Sequence, residues 1–208
     1  NQALAAIDPE AVDAIPLRLR NNPPDRLIVR GEVFLKKEEF TRINKELRAQ
    51  GKEEYANPRN LASGTVRQLD PKITAGRKLD FYAYGMPGKG NATKQSEYDD
   101  LRKYGIAPNP HGTIIRSEEE MHSFRKKIEA MRKSLPYEID GVVLSANDNA
   151  IFEHAGVIGK APRAAIAYKF TPEEATTIVK EILVQVGRTG VLTPVAHMTP
   201  VTVGGVTI

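Results

Sequence analysis

The 208-residue sequence contains no cysteine. This absence excludes disulfide bonds and thiolate metal sites, and it fits a reducing compartment. No apolar run approaches the ~20 residues that a membrane-spanning helix needs, and no signal-like segment is visible at the start. Repeats and low-complexity tracts are absent as well. We therefore expect a globular protein that does not have a membrane as its partner.

An excess of charge of one sign is also nearly absent. Thirty basic residues against 26 acidic ones give a net charge of +4, and the isoelectric point near 9.2 favours anionic partners without requiring them. The length allows one sizeable core, or one domain and part of another. Because the chain starts at Asn1 rather than Met and stops in the Gly-rich stretch Val201–Ile208, we expect a fragment.

Two apolar stretches, each predicted to be a strand, carry a carboxylate next to a glycine near the middle. The pairs are Gly31-Glu32 within Leu27–Leu35 and Asp140-Gly141 within Ser134–Ser145. A charge in a buried strand is costly unless a cation or a metal binds it. A glycine would let a flat or phosphorylated group approach the backbone closely. Together the two strands predict the floor of a binding site.

Spacing and capping signals place the remaining elements around these strands. The predicted helices are Lys36–Gln50, a short helix capped by Asn60 that carries Arg67, Ser96–Tyr104 and Ser117–Ser134, and the further predicted strands are Leu79–Gly85, Arg163–Phe170 and Thr176–Val186. From Gly187 onwards the Gly/Thr/Pro/Val pattern is typical of a small β-barrel. A domain boundary is therefore expected near Thr171–Glu174.

The polar residues of these segments suggest the handling of a nucleotide phosphate. Glu32 and Asp140 could hold a ribose hydroxyl or a hydrated Mg²⁺, which prefers hard oxygen ligands. Lys169, inside an apolar strand, should point at an anion. Arg59 and Arg67 offer guanidinium forks for phosphate oxygens.

Two further features suggest a base and a nucleic-acid backbone. Tyr84, at a strand end before Gly85, could stack on a base. Arg188 lies in the tight basic turn Gly187–Gly190, which suits a nucleic-acid backbone. The four histidines lack metal-ligand spacing and receive no catalytic role.

Each of these residues also has a structural interpretation without function. Glu32 could be a solvated edge charge, Asp140-Gly141 a hairpin turn, Tyr84 a core residue, Lys169 a strand-end lysine, and Arg59 and Arg67 ordinary surface residues. Taken singly, the signals are weak, and only their combination separates the two interpretations.

Eight motifs occur in one order along the chain. They are Arg30-Gly31-Glu32-Val33-Phe34, Ala56-Asn57-Pro58-Arg59-Asn60, Arg67-Gln68-Leu69-Asp70-Pro71, Tyr84-Gly85, Glu138-Ile139-Asp140-Gly141-Val142-Val143, Ala161-Pro162-Arg163, Tyr168-Lys169-Phe170 and Gln185-Val186-Gly187-Arg188-Thr189-Gly190. From about Ala14 to the C-terminus, this series closely resembles the NAD⁺-dependent DNA ligases of bacteria.

The resemblance implies an α+β fold in two parts. Residues 1–172 would form a nucleotidyltransferase (adenylation) domain, with mainly antiparallel sheets and flanking helices and without the part that holds the nucleophilic lysine. Residues 173–208 would form the first strands of an OB-fold β-barrel.

The resemblance also implies an activity, which is the sealing of 5′-phosphate/3′-hydroxyl nicks in duplex DNA during replication and repair. The route runs through lysyl-AMP and DNA-adenylate intermediates, with NAD⁺ and Mg²⁺ (or Mn²⁺) as cofactors, and Zn²⁺ only in C-terminal regions outside this chain. The implied partners are nicked double-stranded DNA and NAD⁺ or AMP. The implied setting is a monomer in the bacterial cytoplasm, associated with the nucleoid.

The family's site roles can be carried over residue by residue. The resemblance makes Glu32, Asp140 and Lys169 catalytic, with Glu32 and Asp140 at the metal. It implies cofactor binding by Glu32, Arg59, Arg67, Tyr84, Val143 and Lys169, with the ring of Tyr84 stacked on adenine. It implies DNA binding by Arg59, Arg67 and Arg188.

Three departures from the family pattern stand out. Ser145 occupies the position of a lysine that contacts adenine, and Ala164 replaces an aromatic residue after Ala-Pro-Arg. The Lys-x-Asp-Gly motif that supplies the nucleophile does not occur in the sequence. We therefore expect this chain by itself not to seal nicks.

Two other identities remain open at this point. A truncated, non-catalytic relative that binds DNA or a partner would account for Ser145 and for the missing nucleophile. A relative of ATP-dependent ligases or RNA-capping enzymes would share the nucleotidyltransferase chemistry, but it does not explain Ala56–Asn60 or Arg67–Pro71.

Overall fold

The structure, a computed structural model, describes residues 12, 14–68, 71–88, 90–159, 161–171, 174–203 and 206–207. The chain divides into two compact units between Phe170 and Thr171. The boundary expected between residues 172 and 173 lies outside the described residues. Within the described ranges, no helix is both long and apolar enough to cross a membrane.

In the described chain the helices lie between Lys37 and Ala155, with strands among them, and the elements after Ala155 are all strands. The helices are α1 (Lys37–Ala49), α2 (Pro58–Val66), α3 (Pro71–Ala75), α4 (Lys94–Tyr104), α5 (Glu118–Met131) and α6 (Asn149–Ala155). The strands are β1 (Arg30–Leu35), β2 (Leu79–Gly85), β3 (Gly141–Ser145), β4 (Val157–Ile158), β5 (Ala161–Pro162), β6 (Ala165–Lys169), β7 (Val179–Val186), β8 (Leu192–Met198), β9 (Thr202–Val203) and β10 (Val206–Thr207).

The strands pair in twos, and every pair is antiparallel. The pairs are β1–β2, β3–β6, β4–β5, β7–β8 and β9–β10. Helices accompany the pairs of the first unit, with α2 and α4 against β1–β2 and α5 against β3. The α+β architecture with antiparallel sheets is therefore confirmed.

The β1–β2 pair presents one face to the main core and the other outward. Leu35, Phe81 and Ala83 lie in a cluster of twelve buried residues. Side chains alternate between the two faces of a strand, so Glu32 and its cross-strand neighbour Tyr82 lie on the outer face. The ladder starts at Arg30 rather than at Leu27, although Leu27 still packs against the core.

The α2 helix begins one turn earlier than predicted. Asn57 is the N-cap, and its side chain accepts a hydrogen bond from the Asn60 backbone N–H at 2.8 Å. Pro58 fits the first helical position because it has no N–H to satisfy. The prediction that Asn60 caps this helix is wrong, and Arg67 ends the helix as its C-cap.

The β3–β6 pair has a smaller core behind it. Val142 packs with Ile128 of α5 and with Phe170 in a cluster of three buried residues. Ser117 is the N-cap of α5, since its side chain accepts from the Glu120 N–H, while Oε2 of Glu120 accepts from the Arg116 N–H at 2.7 Å. The β6 ladder starts at Ala165, two residues later than predicted.

The second unit contains the hairpin β7–β8 and the short pair β9–β10. All eight residues of β7 are exposed within the chain. The connecting turn has the predicted tight form, because the Gly187 N–H donates to the Val191 carbonyl at 2.8 Å and the Gly190 N–H donates to the Gly187 carbonyl at 2.9 Å. Arg188 lies in this turn.

Candidate functional site

Three charged side chains from separate elements converge at one end of the β3–β6 pair. The Lys169 Nζ donates to Asp140 Oδ2 at 2.8 Å. The Arg59 Nη1, from the first turn of α2, lies 3.9 Å from the same oxygen. Two cations and one carboxylate leave a net positive charge, so an anion is the ligand that this cluster favours.

Backbone pairing brings Asp140 and Lys169 together. Gly141 is the cross-strand partner of Lys169, and the Phe170 N–H donates to the Asp140 carbonyl at 2.9 Å. A Cβ on Gly141 would lie only 2.6 Å from the Tyr168 carbonyl oxygen. The missing side chain therefore makes room for the neighbouring strand, whereas the sequence had suggested room for a ligand.

Asp140 does not lie inside a buried strand, so that prediction is wrong. It comes directly before β3, and its side chain is 63% exposed. The hydrogen bond from Lys169 holds the pKa of the Asp140 carboxyl below its ordinary value, and the charge of Arg59 acts in the same direction. Asp140 is therefore an ionised partner that orients the two cations at the surface. The hairpin-turn alternative also fails, because Gly141 starts a strand that pairs with β6.

One face of the β3–β6 pair is a flat surface next to this cluster. Residues paired directly across an antiparallel ladder share a face. This face consists of Gly141, Val143 and Ser145 with their partners Lys169, Ala167 and Ala165. Its side chains are small apart from Lys169, and Val143 is 71% exposed. An apolar, uncrowded surface of this kind can accept a planar ring.

Glu32 and Tyr84 lie on the outer face of β1–β2. Tyr84 is 49% exposed, which rules out its interpretation as a core residue. Gly31 does not open a path for a ligand either, because a Cβ there would collide with the ring of Phe81. Glu32 is exposed, and within the described ranges it has no ion-pair partner.

An aromatic cluster connects the outer face of β1–β2 with the segment that leads to Asp140. The rings of Phe34 and Tyr82 lie 4.9 Å apart. Tyr137, three residues before Asp140, packs edge-on against both, at 4.9 and 5.8 Å. Burial raises the pKa of the Tyr137 hydroxyl. The two strand pairs that carry Glu32 and Asp140 are thus joined by packed rings.

A divalent cation would find carboxylate ligands here, but no complete protein cage. The described residues contain no group of three or more His, Asp or Glu side chains suited to a metal. Lys169 and Arg59 both lie nearest to Oδ2 of Asp140. Mg²⁺ is commonly held by one or two carboxylates and the phosphates of a substrate. Asp140, in the cluster, and Glu32, on the β1–β2 pair, are the exposed carboxylates available for that limited role.

Arg67 and Arg188 belong to other elements of the chain. Arg67 is exposed at the end of α2 and has no ion-pair partner among the described residues. Arg188 is exposed in the β7–β8 turn of the second unit.

Sequence reasoning missed Arg125, a partly buried residue of α5. Its Nε and Nη2 donate to the Lys169 carbonyl at 3.2 and 3.1 Å. Its guanidinium lies over the Tyr168 ring at 4.8 Å and pairs with Glu129 at 3.0 Å. Arg125 therefore fixes the backbone of the residue that carries the site lysine. The only local signal was the Arg125–Glu129 spacing of four, which is common on exposed helices.

Comparison with known proteins assigns both units. The NAD-dependent DNA ligase adenylation domain matches residues 7–173, and the NAD-dependent DNA ligase OB-fold domain matches residues 176–208. These matches cover most of the chain and confirm the resemblance found in its motifs.

Curated relatives agree with this assignment. A DNA ligase of Syntrophobacter fumaroxidans is 45% identical over 207 residues, which is 96% of this chain and 31% of the relative. A DNA ligase of Koribacter versatilis is 48% identical over 183 residues, covering 86% of this chain and 27% of the relative. The chain spans about a third of the length of these relatives. The chain belongs to the NAD-dependent DNA ligase family.

Proposed function

We propose that this chain supplies the nucleotide-handling centre of a bacterial NAD⁺-dependent DNA ligase, which seals 5′-phosphate/3′-hydroxyl nicks in duplex DNA during replication and repair. The convergence of Arg59, Asp140 and Lys169 at the edge of a flat, small-residue surface carries this proposal. We further propose that the complete ligase, meaning the protein whose reading frame includes this chain, works as a monomer in the cytoplasm and on nucleoid DNA.

In this proposal, the β3–β6 surface and Tyr84 hold the adenosine. The adenine ring lies on Val143 and against the exposed ring of Tyr84, because stacking on an aromatic face and an apolar floor suits a planar base. Glu32 accepts a hydrogen bond from a ribose hydroxyl. Ser145 contributes no positive charge near adenine, so this site depends on stacking more than a site with lysine there.

The phosphate lies at the charged end of the same surface. Lys169 donates to a non-bridging oxygen of the phosphate that is transferred, and Arg59 neutralises charge beside it. Since charge develops on the phosphoryl oxygens during transfer, cations fixed in advance lower the barrier. Mg²⁺ held by Glu32 and Asp140 would supply additional positive charge at these oxygens.

The remaining roles concern the leaving group and DNA. Arg67 binds a phosphate of the nicotinamide mononucleotide half of NAD⁺ or of the DNA, and Arg188 binds the DNA backbone near the nick, as exposed arginines do in sequence-independent contacts. The complete ligase carries AMP from NAD⁺ on a lysine and passes it to the nick 5′-phosphate, where the 3′-hydroxyl displaces it.

The test is nick sealing by the complete ligase on a duplex with one labelled 5′-phosphate. We expect joined product with NAD⁺ and Mg²⁺ and none when ATP replaces NAD⁺. Sealing with ATP alone would contradict the proposed cofactor.

A second candidate, a non-catalytic DNA-binding relative, is favoured by Ser145 at the adenine-contacting lysine position. The same experiment separates the two candidates. Binding of the nicked duplex without formation of adenylated protein or joined strands would support the binding-only function.

A further inference from the structure

Two buried carboxylates stand at opposite ends of β2. Glu39 is 8% exposed, and its Oε1 accepts from the Lys78 N–H at 3.3 Å, directly before the strand. Glu97 is 3% exposed, and its Oε2 accepts from the Met86 N–H at 2.8 Å, directly after the strand. A buried carboxylate persists only when donors surround it, so the partners of each carboxylate indicate what it holds in place.

Glu97 joins three separate segments. Besides Met86, its carboxylate accepts from the Lys94 Nζ of α4 at 3.0 Å and from the Asn149 Nδ2 of α6 at 2.7 Å. The neighbouring Gly85 is buried, and a Cβ there would lie 3.4 Å from Oε2. The end of β2, the first turn of α4 and the start of α6 therefore meet at one carboxylate.

Backbone hydrogen bonds extend this junction between the segments that follow β2 and β3. The Lys94 N–H donates to the Asn147 carbonyl at 2.8 Å, and the Asn149 N–H donates to the Ala92 carbonyl at 3.0 Å. Tyr84 lies two residues before Met86, and Val143 lies four residues before Asn147. The junction thus ties together the continuations of the two strands that carry these side chains.

We propose that Glu97 is a positioning residue for the adenine site, because it sets the spacing between Tyr84 and Val143. This inference rests on the proposed function, in which both side chains contact the base. A planar ring tolerates little change in that spacing, since contacts at an active site lose much of their effect when displaced by about 1 Å. Glu97 itself is buried beneath the site and does not touch the nucleotide.

The test compares Glu97→Gln with Glu39→Gln in the complete ligase. In both sites three donors converge on two oxygens, so an amide nitrogen must face a donor in either variant. Both substitutions keep the side-chain shape and remove a buried charge. They affect opposite ends of β2, and Glu39 is held by Arg42 of its own helix and by the Lys78 N–H rather than by three segments. Glu39→Gln is therefore the control for the loss of a buried carboxylate beside β2.

We expect Glu97→Gln to raise the KM for NAD⁺ about tenfold while kcat stays within about twofold, because ground-state positioning of adenine weakens and the phosphate groups remain in place. Glu39→Gln should leave the KM for NAD⁺ unchanged even if it lowers the melting temperature as much. An unchanged KM for NAD⁺ in Glu97→Gln would overturn the proposal. An equal rise of this KM in both variants would also overturn it.

Hydrogen–deuterium exchange supplies a readout that does not depend on turnover. Amides in residues 90–94 and 147–152 should exchange faster in Glu97→Gln than in Glu39→Gln. Unchanged exchange there would overturn the role of Glu97. An unmodified complete ligase that cannot use NAD⁺ would instead contradict the proposed function, so the two failures are distinguishable.

Discussion

The strand pairs β1–β2 and β3–β6 of the first unit differ in the buried clusters behind them and in the charged side chains near them. The inner face of β1–β2 belongs to a cluster of twelve buried residues, whereas β3–β6 covers a cluster of three. The charged cluster, by contrast, lies at the pair with the smaller core, since Asp140, Lys169 and Arg59 meet at β3–β6. The larger core supports the pair with fewer charged site residues.

Each strand pair also has one lysine–aspartate ion pair of nearly the same length. Lys36 lies 2.9 Å from Asp80, and Lys169 lies 2.8 Å from Asp140. Within the part of the chain that the structure describes, only the Lys169–Asp140 pair has an arginine beside it and an open, small-residue face next to it. The proposed phosphate site therefore rests on the surroundings of the Lys169–Asp140 ion pair more than on the ion pair itself.

The largest expected effect follows from replacing each lysine in the complete ligase. Lys169→Ala should slow adenylyl transfer from NAD⁺ by about a hundred- to a thousandfold, because a preorganised cation at the phosphate is lost. Lys36→Ala should leave the rate within about twofold. Single-turnover formation of adenylated protein measures both, and an unchanged rate in Lys169→Ala would remove its assigned role.

Substitutions in the two buried clusters should show the opposite order, with the larger effect at β1–β2. Leu61 is fully buried in the larger cluster. Its replacement by alanine should lower the free energy of unfolding by about 3 kcal/mol. Val142→Ala, in the smaller cluster, should cost roughly 1–2 kcal/mol because fewer methyl groups are removed. Urea denaturation of residues 1–208, followed by circular dichroism, measures both. A greater loss for Val142→Ala would show that the smaller cluster is the main source of stability.

A smaller effect is expected from the support behind Lys169. In Arg125→Lys, the ammonium group cannot donate two hydrogen bonds to the Lys169 carbonyl and stack on Tyr168 at the same time. We expect adenylyl transfer to slow about fivefold. Arg102→Lys, which alters an exposed arginine paired with Asp99, is the control and should have no effect. If both variants behave alike, Arg125 does not position the lysine.

The smallest expected effect concerns the ionisation of Asp140. Its pKa lies below the ordinary value of 3.8 because Lys169 donates to it. The stabilisation from this ion pair is therefore fully present when the pH is above the ordinary pKa of an aspartate. It is lost as the pH falls through the lowered pKa of Asp140. Carboxyl ¹³C NMR should show a low pKa for Asp140 that returns towards 3.8 in Lys169→Ala. The same pKa in both proteins would mean that Lys169 is not its partner in solution.

Local sequence patterns predicted the elements whose signals are local. The aromatic content of Leu79–Gly85 predicted the strand β2, and these are its observed bounds. The α2 start was misplaced because Asn57 and Asn60 are both good capping residues, and only the requirement of Pro58 for the first helical position favours Asn57.

The sequence motifs named Arg59, Asp140 and Lys169, which the structure brings together, but they did not name the residues that support this cluster. Arg125 reaches a carbonyl 44 positions away, and Glu97 accepts from an amide 52 positions away. Such contacts depend on tertiary packing and leave no periodic trace in the sequence. The exposure of Asp140 was missed for a similar reason, since apolar neighbours suggest burial even where the chain only approaches a strand.

The central claim is that Lys169 and Asp140 act together on the transferred phosphate, and a double-mutant cycle tests it most directly. Adenylyl transfer from NAD⁺ is measured in the complete ligase for Lys169→Ala, Asp140→Asn and the double variant. If Asp140 acts by orienting Lys169, the double variant should be no slower than Lys169→Ala alone. Effects that multiply would contradict this orienting role, because the two side chains would then contribute independently and Asp140 would keep only its proposed role at Mg²⁺.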